Sequence, residues 1–131
     1  MFNIDKKWKY KETSSSEIEK MVGEWWRKRG IDEWKNGRIK EAISIFIDNA
    51  QYRNNPRSYT YLGYIYQFGI GIERNDKRAV FFYKKGHDRG DRKASTMLSI
   101  FYFTTGDIKK SNWYKVDEKP LLMSEEEGFS S

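Results

Sequence analysis

Apolar and polar positions follow a helical period over most of the chain. Ser16 and Glu19 have the spacing of a capping box, and apolar residues recur every three or four positions from Ile18 to Trp34. The same period returns in five further segments, which Gly, Asn, Asp or Pro residues separate. No segment has the period of two that a half-buried β-strand requires. The pattern therefore predicts an all-α chain of about six antiparallel helices.

Short connections group these helices into hairpins. Connections of a few residues are typical of antiparallel helices that pack side by side. We expect three hairpins, over about residues 17–54, 56–89 and 91–116, within a helical repeat domain that covers residues 15–116. Residues 1–14 are expected to form a flexible basic arm, and residues 117–131 an acidic tail.

The middle hairpin shows most clearly why particular residue types recur. Gly63 and Ala79 are small residues at positions where the two helices of a hairpin touch, since a branched side chain there would force the axes apart. Segment 69–72 contains two glycines, which allow the positive φ angles that an extended loop needs. Either Asn75 or Asp76 can cap the helix that follows.

These residues belong to a longer frame with a family resemblance. The frame consists of Leu62-Gly63, Tyr66, Gly69, Gly71-Ile72, Asp76, Arg78-Ala79, Phe82-Tyr83-Lys84, Gly90 and Ala94. It resembles the Sel-one-like repeat, a relative of the tetratricopeptide repeat with a longer, glycine-marked loop. The match is densest over residues 62–94 and looser in the outer hairpins, where Ser99 replaces the glycine of the helix contact. The resemblance implies a short α-solenoid of stacked hairpins.

The inventory of reactive side chains argues against catalysis. The chain has no cysteine, which excludes disulfides, thiolate metal sites and cysteine nucleophiles. His87 is the single histidine, so one chain cannot assemble a Ser-His-Asp triad or a multi-histidine metal site. We expect it to be an exposed residue at the end of the fourth helix. The sequence therefore predicts no enzyme activity, no metal and no cofactor.

Charge and hydropathy favour a cytoplasmic protein. The formal net charge is +6, but basic residues are interleaved with acids along the chain, and the one basic cluster lies within residues 6–11. Nucleic-acid binders carry a concentrated patch or stripe, so this distribution disfavours a nucleic-acid partner. No apolar run approaches the roughly 20 residues that span a bilayer, and the chain start lacks the apolar stretch of a secretory signal.

The resemblance also implies where a partner would bind. In the family, the first helix of each hairpin lines a concave face and carries the ligand contacts. The corresponding residues here are Arg27 and Trp34 in the first hairpin, Arg57, Tyr64 and Gln67 in the second, and Lys93 and Phe103 in the third. The three cations would form a basic row interleaved with aromatic rings, which suits an acidic surface or segment of another protein. The alternative is that these residues face solvent and share no ligand.

The resemblance and the missing catalytic residues together favour a protein-interaction module. We expect an adaptor of bacterial type, and an immunity protein that neutralises a toxin is one form this role can take. The alternative function is a nucleic-acid-binding accessory protein that uses the basic arm and exposed aromatic side chains. Three hairpins leave both ends of the stack poorly covered, so self-association is also open.

Overall fold

The computed structural model of the protein describes residues 15–116, which form helices joined by turns and loops, with no strand in that range. The six helices are α1 (Ser15–Lys35), α2 (Ile39–Tyr52), α3 (Pro56–Phe68), α4 (Asp76–Asp88), α5 (Arg92–Thr104) and α6 (Ile108–Tyr114). The predicted all-α class is confirmed. The arm and tail expected at residues 1–14 and 117–131 lie outside the described residues.

Asparagine side chains mark the starts of the two helices in the middle hairpin. Asn55 precedes α3, and its Oδ1 accepts a hydrogen bond from the Ser58 backbone N–H at 3.2 Å. Asn75 precedes α4, and its Oδ1 accepts from the Arg78 N–H at 3.0 Å. Of the two candidates for this cap, Asn75 is therefore the one used, and Asp76 is the first residue of the helix.

The helices stack as hairpins in chain order. Within residues 15–116, extensive contacts join consecutive helices, and a smaller set of contacts joins α3 to α5. The additional pair consists of the first helices of the second and third hairpins. Helices α1 and α6, at the two ends of the stack, share no such contact. The first helices α1, α3 and α5 thus belong to one side of the stack, and α2, α4 and α6 to the other.

A ring lies directly against a glycine in each of the first two hairpins. A Cβ atom added at Gly30 would lie 2.7 Å from the ring of Phe46, and one added at Gly63 would lie 2.2 Å from the ring of Tyr83. Both rings are completely buried. Any larger residue at either glycine would collide with the ring, which explains why a small residue is needed where the helices meet.

The third hairpin makes the same helix contact in a different way. Ser99 Oγ donates a hydrogen bond to the Ser111 carbonyl at 2.8 Å, and Ser111 Oγ donates to the Ser99 carbonyl at 2.9 Å. Small side chains are retained, but hydrogen bonds replace the ring. Phe46 and Tyr83 each lie four positions after a buried small residue, Ala42 or Ala79, whereas α6 ends at Tyr114, three positions after Ser111.

The long loop of the second hairpin packs against the first hairpin. Gly69 and Gly71 have φ angles of 62° and 80°, as their role in the loop predicts. A Cβ atom at Gly71 would lie 2.4 Å from Ile39 Cγ1 of α2, so glycine also permits this close approach. Ile72 packs against both clusters of the hydrophobic core. The loop therefore helps to fix the second hairpin against the first.

A buried asparagine adds a polar link between the same two hairpins. Asn49 of α2 is fully buried, and its Nδ2 donates to the Gly23 carbonyl of α1 and to Ser58 Oγ of α3, both at 2.8 Å. These two bonds connect three helices through one side chain. Removing a partner from a buried polar group costs about 1–3 kcal/mol, so breaking the link would destabilise the packing of the two hairpins.

Replacing Gly63 by alanine tests the ring contact, because the sign of the effect is diagnostic. Helix propensity alone favours alanine over glycine by about 1 kcal/mol. We expect Gly63→Ala instead to lower the free energy of unfolding by about 1–3 kcal/mol, because Tyr83 must move. Urea denaturation, monitored by circular dichroism, measures the free energy of unfolding. Ser44→Ala, at an exposed position of α2, is the control and should change stability by less than about 0.5 kcal/mol. A more stable Gly63→Ala variant would rule out the contact.

Candidate partner-binding face

Four aromatic side chains form a continuous line across α1 and α3. We call Trp34, Tyr61, Tyr64 and Phe68 the aromatic strip. The ring centroids are 6.4 Å apart from Trp34 to Tyr61, 5.2 Å from Tyr61 to Tyr64 and 6.3 Å from Tyr64 to Phe68. The first three rings are half-buried, and Phe68 is 55% exposed. The strip thus offers ring surface to a ligand while its members support one another.

Buried rings of α2 and α4 hold the aromatic strip from behind. Tyr61 stacks on Phe46 with centroids 5.4 Å apart and planes at 13°. Tyr64 meets Tyr83 edge-on at 6.0 Å. Burial raises the pKa of the hydroxyl groups of Tyr64 and Tyr83 above that of a free tyrosine, which is already neutral at physiological pH. The rings of the strip are therefore uncharged, and their position follows from the hairpin contacts.

The two arginines predicted for the binding face are already paired within the chain. The Arg27 guanidinium donates to Glu24, one turn earlier on α1, and lies 5.8 Å from the centre of the Tyr61 ring. Arg57 Nε donates to Asp91 Oδ1 at 2.8 Å. The expected row of three cations is therefore not a row of free charges, since two of the three face a carboxylate.

Asp91 has a structural role that links the second and third hairpins. It precedes α5 but makes no side-chain cap there. Its carboxylate instead reaches α3, where it accepts hydrogen bonds from Arg57 and from the Thr60 hydroxyl. Asp91 and Thr60 are both buried. Arg57 is thus held in place at the edge of the face by a buried acid.

The remaining predicted residues divide between the strip and the third hairpin. Gln67 is half-buried beside the strip and accepts a hydrogen bond from the Tyr83 hydroxyl. Lys93 is exposed and, within residues 15–116, forms no ion pair. Phe103 is 65% exposed on α5 and makes no ring contact with the strip. The structure therefore brings Trp34, Tyr64 and Gln67 together and leaves Lys93 and Phe103 apart on α5.

A polar cleft lies at the N-terminal ends of the three first helices. Its volume is about 420 Å³. It is lined by Ser16, Glu19, Lys20, Glu24, Asn54, Asn55, Pro56, Arg57, Gly90 and Asp91. The charges of this lining nearly balance. The face formed by α1, α3 and α5 therefore changes from mixed charge at this end to aromatic at the C-terminal ends of α1 and α3.

The prediction that His87 is an exposed surface residue is wrong. The imidazole is half-buried, and its Nδ1 lies 2.7 Å from Ser95 Oγ. Its ring also lies 5.7 Å from that of Trp113 and 5.0 Å from that of Tyr114. The histidine is therefore a packing residue between α4, α5 and α6. Within residues 15–116, no three His, Cys, Asp or Glu side chains are arranged to hold a metal ion.

Comparison with protein-family models, with curated proteins and with solved structures yields no match to this chain. The resemblance to the Sel-one-like repeat therefore stays a prediction carried by the residues themselves. Among the described helices, none has the length and apolar character required to cross a bilayer.

Two members of the strip, Tyr61 and Phe68, were not among the predicted binding residues. Tyr61 reads as part of the apolar side of α3, and Phe68 as the last residue of that helix. The missing signal was their spacing, because positions 61, 64 and 68 differ by three and four and so share one helix face. The partial burial of Tyr61 beneath Arg27 could be seen only in the folded chain.

The Glu24–Arg27 pair predicts a measurable shift in titration. The hydrogen bond from Arg27 lowers the pKa of Glu24 below its ordinary value. A carboxyl group with a lowered pKa stabilises the fold above its unfolded pKa, and that contribution is lost as the pH falls through the folded value. We expect Arg27→Gln to raise the Glu24 pKa towards the value of an unpaired glutamate. NMR titration of the Glu24 side-chain carboxyl carbon measures this pKa. A titration midpoint that is unchanged in the variant would contradict the Glu24–Arg27 pair.

Proposed function

We propose that this chain is a protein-interaction module that binds a segment of a partner protein on the face formed by α1, α3 and α5. The observation that carries the proposal is the aromatic strip, four linked rings that remain accessible although large rings of this kind are usually buried. Aromatic side chains supply much of the binding energy at protein interfaces. An adaptor role, rather than catalysis, suits a face built from rings and internally paired charges.

The rigidity of the strip supports this role. Tyr61 and Tyr64 rest on the buried rings of Phe46 and Tyr83. A surface that is fixed before binding loses less side-chain entropy when a partner docks, so more of the contact energy appears as affinity. The strip can therefore act as a preformed site for apolar side chains of a partner.

Charge contributes less to this proposed site than the sequence suggests. Because Arg27 and Arg57 are paired with Glu24 and Asp91, an acidic ligand would have to compete with carboxylates that are already in place. Lys93 is the predicted cation that remains available to an acidic group. We therefore expect apolar anchors to dominate recognition, with an acidic group of the partner meeting Lys93.

One double variant tests the proposal, and a second double variant is its matched control. Phe68→Ser with Phe103→Ser removes exposed rings from the proposed face, whereas Met21→Ser with Tyr52→Ser removes similarly exposed apolar side chains from elsewhere on α1 and α2. A truncated aromatic anchor typically weakens binding by about 2 kcal/mol, or roughly thirtyfold. We expect proteins captured from a lysate of the source organism by the wild-type chain to be lost from the first variant and retained by the second.

Quantitative mass spectrometry of the captured proteins gives the readout, and circular dichroism confirms that both variants are folded. Equal retention by the two variants would contradict a binding site anchored by the exposed rings of this face. Loss from the Met21/Tyr52 variant alone would move the binding site to the outer surface of the first hairpin.

A further inference from the structure

The basic residues of the described domain are concentrated in its second half. Residues 15–73 contain nine Lys and Arg against eight Asp and Glu, whereas residues 74–116 contain eleven against four. The net charge of the second part is therefore +7 and that of the first part +1. Although acids and bases alternate along the sequence, residues 74–116 thus carry a strong excess of positive charge.

Part of this excess lies on one surface, which we call the basic face. It is composed of Lys77, Phe81, Lys84, Lys85, Lys110 and Trp113, all of which are exposed. The four residues of α4 differ by four, three and one positions, which places them on one side of that helix. Two acids border this surface: Asp107 Oδ2 lies 4.0 Å from Lys110 Nζ, and exposed Asp88 follows Lys84 and Lys85 by one helical turn. The three lysines of α4 form no ion pair within the described residues.

Contacts among rings join the two helices of the basic face. His87 of α4 packs against both Trp113 and Tyr114 of α6. Tyr114 in turn stacks on Tyr102 of α5 at 5.8 Å, and the Lys110 ammonium lies 5.3 Å from the centre of the Tyr102 ring. These ring contacts bring side chains of α6 beside the end of α4, and Lys110 and Trp113 of α6 extend the surface begun by α4.

Two exposed rings lie among these cations. Phe81 is 54% exposed and Trp113 is 71% exposed. The Lys85 ammonium lies 5.4 Å from the centre of the Phe81 ring, so cation and ring occur side by side. Unpaired lysines attract phosphate groups, and exposed rings stack with nucleobases that are not already stacked in a duplex.

We propose that the basic face binds single-stranded nucleic acid, with the lysines contacting phosphates and Phe81 and Trp113 stacking on bases. A protein partner fits less well, because lysine is depleted and arginine enriched at protein interfaces. A membrane surface also fits less well, because Phe81 is the one large apolar side chain among the α4 residues of this face, and membrane-bound helices need a broad apolar side. The face lies on α4 and α6, so it is separate from the aromatic strip on α1 and α3.

Fluorescence anisotropy with labelled 20-nucleotide single strands of mixed sequence, as DNA and as RNA, tests the proposal. We expect binding at 50 mM salt that weakens as salt rises, with log K falling by about 0.7 per log unit of salt for each phosphate neutralised. A duplex of the same sequence should bind at least about fivefold more weakly, because its bases are not available to the two rings.

A charge-matched pair of triple variants locates the site. Lys84→Glu, Lys85→Glu and Lys110→Glu alter the basic face, whereas Lys28→Glu, Lys35→Glu and Lys40→Glu make the same change in net charge on exposed residues of the first hairpin. We expect the first set to weaken binding about tenfold or more and the second about threefold or less. Phe81→Leu and Trp113→Leu should each weaken single-strand binding about fivefold or more. Circular dichroism checks that every variant is folded.

Any of four results would overturn the proposal. The first three are no binding at 50 mM salt, an equal loss of affinity in the two triple variants, and duplex binding as tight as single-strand binding. The fourth is stronger competition by a glutamate-rich peptide or by phosphatidylserine vesicles than by unlabelled oligonucleotide. Phe68→Ser with Phe103→Ser should leave oligonucleotide binding unchanged, so failure here and failure of the proposed protein-binding face are distinguishable.

Discussion

Two glycines with a ring packed against each backbone determine how the hairpins are built. The Gly30–Phe46 and Gly63–Tyr83 contacts bring the two helices of a hairpin close together and leave no room for a larger residue at the glycine. The same two rings then support the aromatic strip from behind. A change at either contact would therefore disturb both the helix packing and the surface proposed to bind a partner. The third hairpin lacks the ring and uses reciprocal serine hydrogen bonds between its helices.

Local features of the structure could be predicted from the sequence, because they depend on residues close together in the chain. The helical period and the turns both have local physical causes. Contacts between distant residues could not be predicted in the same way. The Arg57–Asp91 pair spans 34 positions and depends on how the third hairpin stacks on the second. The packing of His87 against α6 likewise becomes visible only when the hairpins are assembled.

The sequence indicated which helices carry the candidate site but not how its side chains interact. The family resemblance predicted contact residues on the first helix of each hairpin. Three of these residues, Trp34, Tyr64 and Gln67, lie close together in the structure. The expected row of three cations followed from counting cations without their partners. Glu24 lies three positions before Arg27, a spacing that allows an ion pair on a helix, so that pairing was within reach of the sequence. The basic face was not predicted from the sequence, because the whole of α5 separates its residues on α4 from those on α6.

The close contact between glycine and ring is the central claim, and nuclear Overhauser effects measure it most directly. After resonance assignment of the full chain, we expect cross-peaks between the Hα protons of Gly63 and the ring protons of Tyr83, and between those of Gly30 and the ring protons of Phe46. Protons in such contact lie well within the distance of about 5 Å at which these effects are observed. Their absence from a folded, fully assigned chain would mean that the helices of the hairpins do not meet through these residues, and would contradict the account.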